Sequence, residues 1–198
     1  DQISVEVSGV LGNESTGEYY VISGAYATDL LRLDLVFDNS PIERLGEIPL
    51  SGNAAGNLFI TGTVDSPDFI ADLAIDDGRF NDGSIALRAS LSLNDLQLAA
   101  TDISVSLQSS RINNGNLTLD FADSSLTGTA DFFGSIQNKS LQAALEVSGN
   151  FASALGKQNL LEIGASDFRL SASASSIVFG DPPRKDWIFD VTRTTSVV

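Results

Sequence analysis

The densest group of chemistry-bearing side chains is Asp76-Asp77-Gly78-Arg79-Phe80-Asn81-Asp82-Gly83. Acids at this density invite a calcium loop, which needs several oxygens at set spacing and a closing acid. These acids do not alternate as a calcium loop requires, and no Glu follows at the closing distance. Two consecutive Asp/Gly turns are the better reading. Paired carboxylates could also serve glycoside hydrolysis. With 26 Asp and Glu in the chain, some pair will always lie close, so proximity alone carries little. Asp34, Asp72, Asp102 and Asp120 fall at polar positions of alternating runs, as do Arg32, Arg88 and Arg169. That placement predicts cross-strand ion pairs on a wet sheet face.

The chain has no Cys and no His. Thiol nucleophiles, imidazole bases, disulfides and Cys/His zinc sites are therefore excluded. Lys139-Ser140 and the Ser-rich stretch 171–176 form no nucleophile constellation, and no Gly-rich phosphate loop precedes a helix. The expectation is a protein that is not an enzyme, with no cofactor and no metal. Asn13-Glu14-Ser15, Asn116-Leu117-Thr118 and Asn138-Lys139-Ser140 match the glycosylation sequon, a motif common by chance.

The elements that must position these residues announce themselves by a two-residue rhythm. Residues 84–94 alternate between aliphatic odd positions and small or polar even ones. The beat also runs through Leu31, Leu33, Leu35 and Phe37, then Phe69, Ala71, Leu73 and Ile75, then Ile103, Val105 and Leu107, then Leu117, Leu119 and Phe121. Successive side chains of a strand point to opposite faces, so the pattern describes a sheet with one apolar and one polar face. Strands are predicted at 3–8, 18–24, 30–37, 57–64, 68–76, 84–93, 97–107, 116–121, 126–133, 141–148, 165–179 and 187–193.

Turn signals separate many of them: Gly12-Asn13, Asp65-Ser66-Pro67, Asp77-Gly78, Asp82-Gly83, Asn94-Asp95, Asn113-Asn114-Gly115 and Gln137-Asn138. Spacers this short cannot hold a crossover helix, so the strands should form a mostly antiparallel meander. Short helical connectors are expected at 41–50, opened by Pro41 and closed by Gly46, and at 151–161. Gly180-Asp181-Pro182-Pro183-Arg184-Lys185 reads as a hinge before a last strand with Trp187, Phe189 and Val191. Glycines recur inside the strands 56–64, 126–130 and 145–151, where they mark bends or close approaches.

Composition bounds the partners. The 198 residues carry Lys+Arg 11 against Asp+Glu 26, a net charge of -15. Such a surface repels phosphate backbones and anionic headgroups, which argues against nucleic acid and against electrostatic docking on a membrane. Hydrophobic residues make up 42%, patterned rather than scarce, so the chain should fold. No run approaches the ~20 apolar residues of a membrane helix. The chain lacks Met and begins with Asp1, which reads as a piece of a longer protein.

What the apolar face meets decides the function. A second sheet would make a sandwich, and lipid outside a closed barrel would make a membrane protein. A sheet that curls without closing would hold a separate apolar ligand. The barrel is disfavoured, because aromatics are only 8% and scattered rather than gathered into girdles. Against the sandwich, the inner face is largely Leu, Ala and Gly, with few aromatics to fill a tight core.

The stretch from Ile48-Pro49-Leu50-Ser51-Gly52 through Gly56-Asn57-Leu58-Phe59-Ile60-Thr61-Gly62-Thr63-Val64-Asp65-Ser66-Pro67 resembles the TamB family of envelope proteins, related to the AsmA-like proteins. That family repeatedly writes a Gly, a short strand, a second Gly, and a Pro before the next strand. Leu73-Ala74-Ile75-Asp76-Asp77-Gly78-Arg79-Phe80 continues in the same style, and Leu31-Arg32-Leu33-Asp34-Leu35 resembles the lead-in. The resemblance covers residues 25–150, and 180–198 lies outside it.

The resemblance implies an all-β segment spanning 1–198 of a longer protein: a curved, mostly antiparallel meander sheet forming an open hydrophobic groove, or β-taco. It implies the periplasm of a diderm bacterium, with the full-length protein anchored in the inner membrane. It implies phospholipid or another apolar ligand moving between the membranes, or support of outer-membrane protein assembly with an outer-membrane barrel partner. It implies no catalytic residue. The groove lining would map onto Leu31, Leu33, Leu35, Phe37, Leu58, Ile60, Val64, Phe69, Leu73, Ile75, Ile85, Leu87, Leu91, Leu93, Leu98, Ile103, Val105, Leu107, Leu117, Leu119, Phe121, Leu145 and Val147. The alternatives are an adhesin-like or carbohydrate-binding module with a closed sandwich core, and an assembly chaperone whose groove or edge receives another protein's strands.

Overall fold

In a computed structural model of the chain, residues 4–45, 50–80, 83–152, 168–180 and 191–196 are described. The described residues are all-β. Thirteen strands follow one another: β1 (Ser4–Asn13), β2 (Glu18–Ala27), β3 (Leu30–Pro41), β4 (Leu50–Ser51), β5 (Asn53–Thr63), β6 (Pro67–Phe80), β7 (Gly83–Asn94), β8 (Gln97–Leu107), β9 (Ser110–Asp120), β10 (Ser125–Ile136), β11 (Lys139–Phe151), β12 (Phe168–Phe179) and β13 (Val191–Ser196). They fall into two compact units, Asp1–Asp95 and Leu96–Val198.

In the first unit the antiparallel order is β1-β2-β3-β5-β6-β7, and the two-residue β4 pairs β6. In the second the order is β8-β9-β10-β11-β12-β13, again antiparallel throughout. Within each unit the strands form a meander in which, the two-residue β4 apart, each strand pairs with those next to it along the chain. The physical cause is the length of the connections. Thr28-Asp29 joins β2 to β3 with φ of 50° and 68°, and Gln137-Asn138 joins β10 to β11 with φ of 52° and 62°. Two consecutive positive φ angles match the twist of the flanking strands and leave no room for a crossover.

Each unit has a small buried cluster at one end of its strands. In the first, Ile42, Ala54 and Ile75 are buried, with Phe37, Leu50, Leu73 and Leu87 packed against them. In the second, Leu119, Leu126 and Phe151 are buried among Leu98, Leu117, Phe121, Val147, Phe168 and Leu170. The Phe151 ring meets Phe121 edge-on at 5.8 Å and Phe168 at 6.0 Å.

Several sequence expectations move. Asp77-Gly78 is not a turn but part of β6, where the register with β7 shifts between Ile75 and Gly78. A Cβ on Gly78 would lie 2.8 Å from Ile75 Cγ2 and 2.9 Å from Ile85 Cγ2, so the glycine serves close packing within a bulge. Asn113-Asn114-Gly115 is likewise inside β9. Asn114 has φ of 52°, and the register with β8 shifts on either side of the Ile103–Gly115 pair. The left-handed residue makes a bulge there, and the reversal falls instead at Gln108-Ser109, so β9 begins at Ser110 rather than 116.

Gly12-Asn13 closes β1, and its turn occupies 14–17, held by Gly17 N donating to Asn13 O at 2.8 Å. Where a helical connector is expected at 41–50, a single 3-10 turn spans Ile42–Leu45. The closing Gly46 lies outside the described residues, as do residues 153–161 of the other connector, 181–185 of the hinge, Trp187 and Phe189.

Candidate functional site

Register converts the alternating runs into rows on one face. In the first unit, Leu33, Ile60, Phe69 and Leu93 stand opposite one another across β3, β5, β6 and β7. Leu35, Leu58, Ala71 and Leu91 form the next row, then Phe37, Gly56, Leu73 and Ala89, then Ala54, Ile75 and Leu87. Leu31 sits beside Gly62, and Ile85 beside Gly78 past the bulge. Val64 lies beyond the end of β5 in the turn and is 62% exposed, so it lines no row.

In the second unit, Leu98, Leu119, Leu126, Gly149 and Leu170 form a row across β8 to β12. Ala100, Leu117, Gly128, Val147 and Ala172 form the next. Leu145 stands between Ala130 and Ala174, Ile103 opposite Gly115, and Val105 opposite Ile112 and then Phe132. Leu107 faces Ser110 beside the turn, and Phe121 follows β9 in the buried cluster.

The rows extend beyond the residues expected from sequence. β1 and β2 add Val5 beside Tyr26, Val7 beside Gly24 and Leu11 beside Tyr20. In the second unit Leu126, Ala130, Phe151, Phe168, Leu170 and Ala172 join. The signal for the first two was already in the alternation Leu126-Thr127-Gly128-Thr129-Ala130.

The opposite face is mainly polar, although in the first unit it also carries Val10, Val21 and Val36 in one row and Phe59 beside Ile70. Thr118, Thr127, Ser148 and Ser171 form one row, and Asn57, Asp72 and Ser90 another. Arg88 Nη2 reaches from β7 to Asp76 Oδ1 of β6 at 2.8 Å, the expected cross-strand pair. Arg32 Nε instead meets Asp34 Oδ2 two residues along its own strand, at 3.3 Å. Both pairs are largely exposed and contribute little. Ser90 Oγ donates to Asp72 at 2.6 Å and Asn57 Nδ2 at 3.3 Å. These bonds, Ser90 first, hold the Asp72 carboxyl below its ordinary range. Gln97 Nε2, at 2.8 Å, and then the backbone N–H of Asp123 do the same for Asp120. The carboxylates with resolved shifts are thus held ionised and busy, not poised as acids. Among the described residues no group of three metal-binding side chains gathers.

Among the described residues little covers the apolar face. Outside the two clusters most row residues are only half-buried, and among the described residues seven hydrophobic side chains are buried. Within each unit no second layer packs on the sheet among the described residues. Over β8–β12 the face carries a hollow of about 320 Å³, lined chiefly by Ile103, Leu117, Ala130, Leu145, Val147 and Ala172, with Gly115 and Gly128 in its floor. A hollow of about 340 Å³ lies behind it on the polar face, against Thr118, Thr127, Ser148 and Ser171. The two share Gly128, whose missing side chain thins the sheet there, and their volumes hardly differ. What separates them is lining chemistry. No family model, curated protein or solved structure matches the chain.

Proposed function

We propose that the chain is a non-catalytic segment of a TamB-like envelope protein, whose apolar sheet face holds the acyl chains of phospholipid in the periplasm. The observation that carries this reading is the aliphatic face itself: across β3 to β7 and across β8 to β12 the rows named above hold no charged residue, the first charge in register with them being Arg193 of β13 opposite Ala172, and among the described residues they are left largely uncovered. Each methylene moved from water onto such a surface gains about 0.8 kcal/mol, so an acyl chain laid along a row is held without any headgroup contact. A lining of Leu, Ile, Val, Ala and Gly selects for apolarity and not for a headgroup, which suits a conduit. The register shifts at 37/40 and 75/78 in the first unit, and at 100/103, 103/105, 129/131 and 142/144 in the second, supply the bends that a curved groove needs. The full-length protein would be anchored in the inner membrane and would deliver lipid toward the outer membrane, alone or with a barrel partner.

The test is native mass spectrometry with lipid extraction of the purified chain, followed by titration with phospholipid below its micellar concentration. Bound phospholipid, displaced by detergent and lost on replacing Leu91 by Asp in a chain that still folds, is the expected result. A folded chain that takes up neither lipid nor detergent overturns the reading and leaves the interaction-module alternative.

A further inference from the structure

Asn114-Gly115 is the one Asn-Gly pair in the sequence. Such a pair is prone to deamidation, because glycine has no side chain to hinder attack by its backbone nitrogen on the preceding amide. The fold of β9 neither clamps this pair nor leaves it free. On one flank Asn113 pairs with Asp131 and Asn116 with Thr129, and on the other Ile112 pairs with Val105 and Gly115 with Ile103. Asn114 is the residue of this stretch left without a partner on both flanks, as the extra residue of a bulge is. It is exposed and has φ of 52°. Among the described residues a single bond restrains its side chain, Nδ2 donating to Asp131 Oδ2 of β10 at 2.8 Å. We propose that Asn114 is a deamidation site that Asp131 holds closed.

The reaction needs Gly115 N to attack Asn114 Cγ. As that C–N bond forms, hydroxide takes the proton of Gly115 N. The Cγ–Nδ2 bond then breaks, and water protonates the departing ammonia and returns the hydroxide. The succinimide left behind is opened by water at one carbonyl or the other, giving aspartate or isoaspartate at 114. While Nδ2 is tied to Asp131 of the neighbouring strand, the planar amide it shares with Cγ cannot rotate freely onto Gly115 N. Breaking that bond frees the amide to turn.

Conversion is one-way and changes both faces of the sheet. On the polar face a second carboxylate replaces the donor that met Asp131, so the bond that pins the bulge becomes a repulsion. On the apolar face Gly115 forms part of the floor of the hollow, and a Cβ there would already lie 2.8 Å from Ile103 Cβ. Isoaspartate adds a carbon to the main chain beside Gly115, where there is no room for it, and so displaces that floor.

Peptide mapping by mass spectrometry, after incubation of the 198-residue chain at mildly alkaline pH, tests this. Conversion at 114 should be slow in the folded chain and fast in urea. Asp131→Ala should raise the folded-state rate by about 3- to 10-fold, the worth of one exposed hydrogen bond expressed as a rate. Asp131→Asn keeps an acceptor oxygen and should stay near the parent rate. In urea all three rates should coincide, and far-ultraviolet circular dichroism confirms that each variant is folded without it. Asn114→Asp should lower the melting temperature, and Asn114→Asp combined with Asp131→Asn should regain most of the loss, since donor and acceptor have changed places. Equal rates at 114 in the folded parent and in urea overturn the proposal. So does a folded Asp131→Ala variant that converts no faster than the parent, or one in which another asparagine converts first. None of these readouts depends on what occupies the apolar face.

Discussion

Leu91 and Leu119 are both aliphatic, both on the apolar face, and physically different. Leu119 is 7% exposed inside the cluster of Leu126 and Phe151, while Leu91 is half-buried in a row with no cover. An aspartate at 119 would bury a charge without a partner, and one at 91 could keep it in water. Leu119→Asp should therefore cost about 3 kcal/mol or more in urea unfolding, while Leu91→Asp should cost much less and lose apolar binding. Equal losses of stability would mean that the face at Leu91 is sealed. On the polar face, Asp72 and Asp120 have depressed carboxyl pKa values. Each contributes stability that is present above the ordinary carboxylate range and is lost as pH falls through the folded value. Ser90→Ala removes the larger cause at Asp72, so its carboxyl titration, followed by NMR, should move up toward the ordinary range while Asp120 stays where it is.

At the scale of the element, periodicity told faces apart well and turns from bulges badly. The alternation of Leu31 to Phe37, Leu58 to Ile60 and Phe69 to Ile75 placed each residue on the face where register puts it, because a half-buried strand leaves a two-residue imprint. Asp77-Gly78 and Asn113-Asn114-Gly115 read as reversals because Asp-Gly and Asn-Gly pairs suit turns and bulges alike, and of these residues only Asn114 takes a positive φ. The neighbouring strand decides between them. Gly115 lies against Ile103 and Gly78 against Ile85, contacts that no local pattern reveals. The resulting expectation is specific. Asn114→Val forces a β-branched residue to φ of 52° and removes the bond from Asn114 Nδ2 to Asp131 Oδ2, so it should destabilise by about 2 kcal/mol. Asn114→Gly keeps the backbone and loses only the side-chain bond, at a cost near 1 kcal/mol. Thermal unfolding of the two variants would separate them. Similar losses would show that the side-chain bond, not the backbone, fixes the bulge.

For the whole molecule, what matters is that among the described residues, the two-residue β4 apart, each strand within its unit pairs only with those next to it along the chain. A sheet built this way has no single core to make it all-or-none, and its stability is close to a sum of strand terms and neighbour interfaces. Opening should then be cheapest where burial is least and dearest at the clusters. β1 has ten exposed residues and, among the described residues, pairs with β2 alone, whereas β9 and β10 contribute Leu119 and Leu126 to a buried cluster. Native-state hydrogen exchange at low protein concentration should therefore give β1 the least protected strand amides of the first unit, with β5 and β6 around Ala54 and Ile75 well above it. In the second unit the most protected amides should flank Leu119 and Leu126. A ligand that binds only the folded apolar face must raise this protection by mass action, about 2.7 kcal/mol at a hundredfold excess over its dissociation constant. If phospholipid is that ligand, the gain should appear in the half-buried rows of Leu33, Leu35 and Leu91 and around the Leu117–Leu145 hollow, with little change at the clusters, which are already dry. Uniform protection along the strands without lipid, unchanged when lipid is added, would mean that the face is covered and that the apolar rows are core after all.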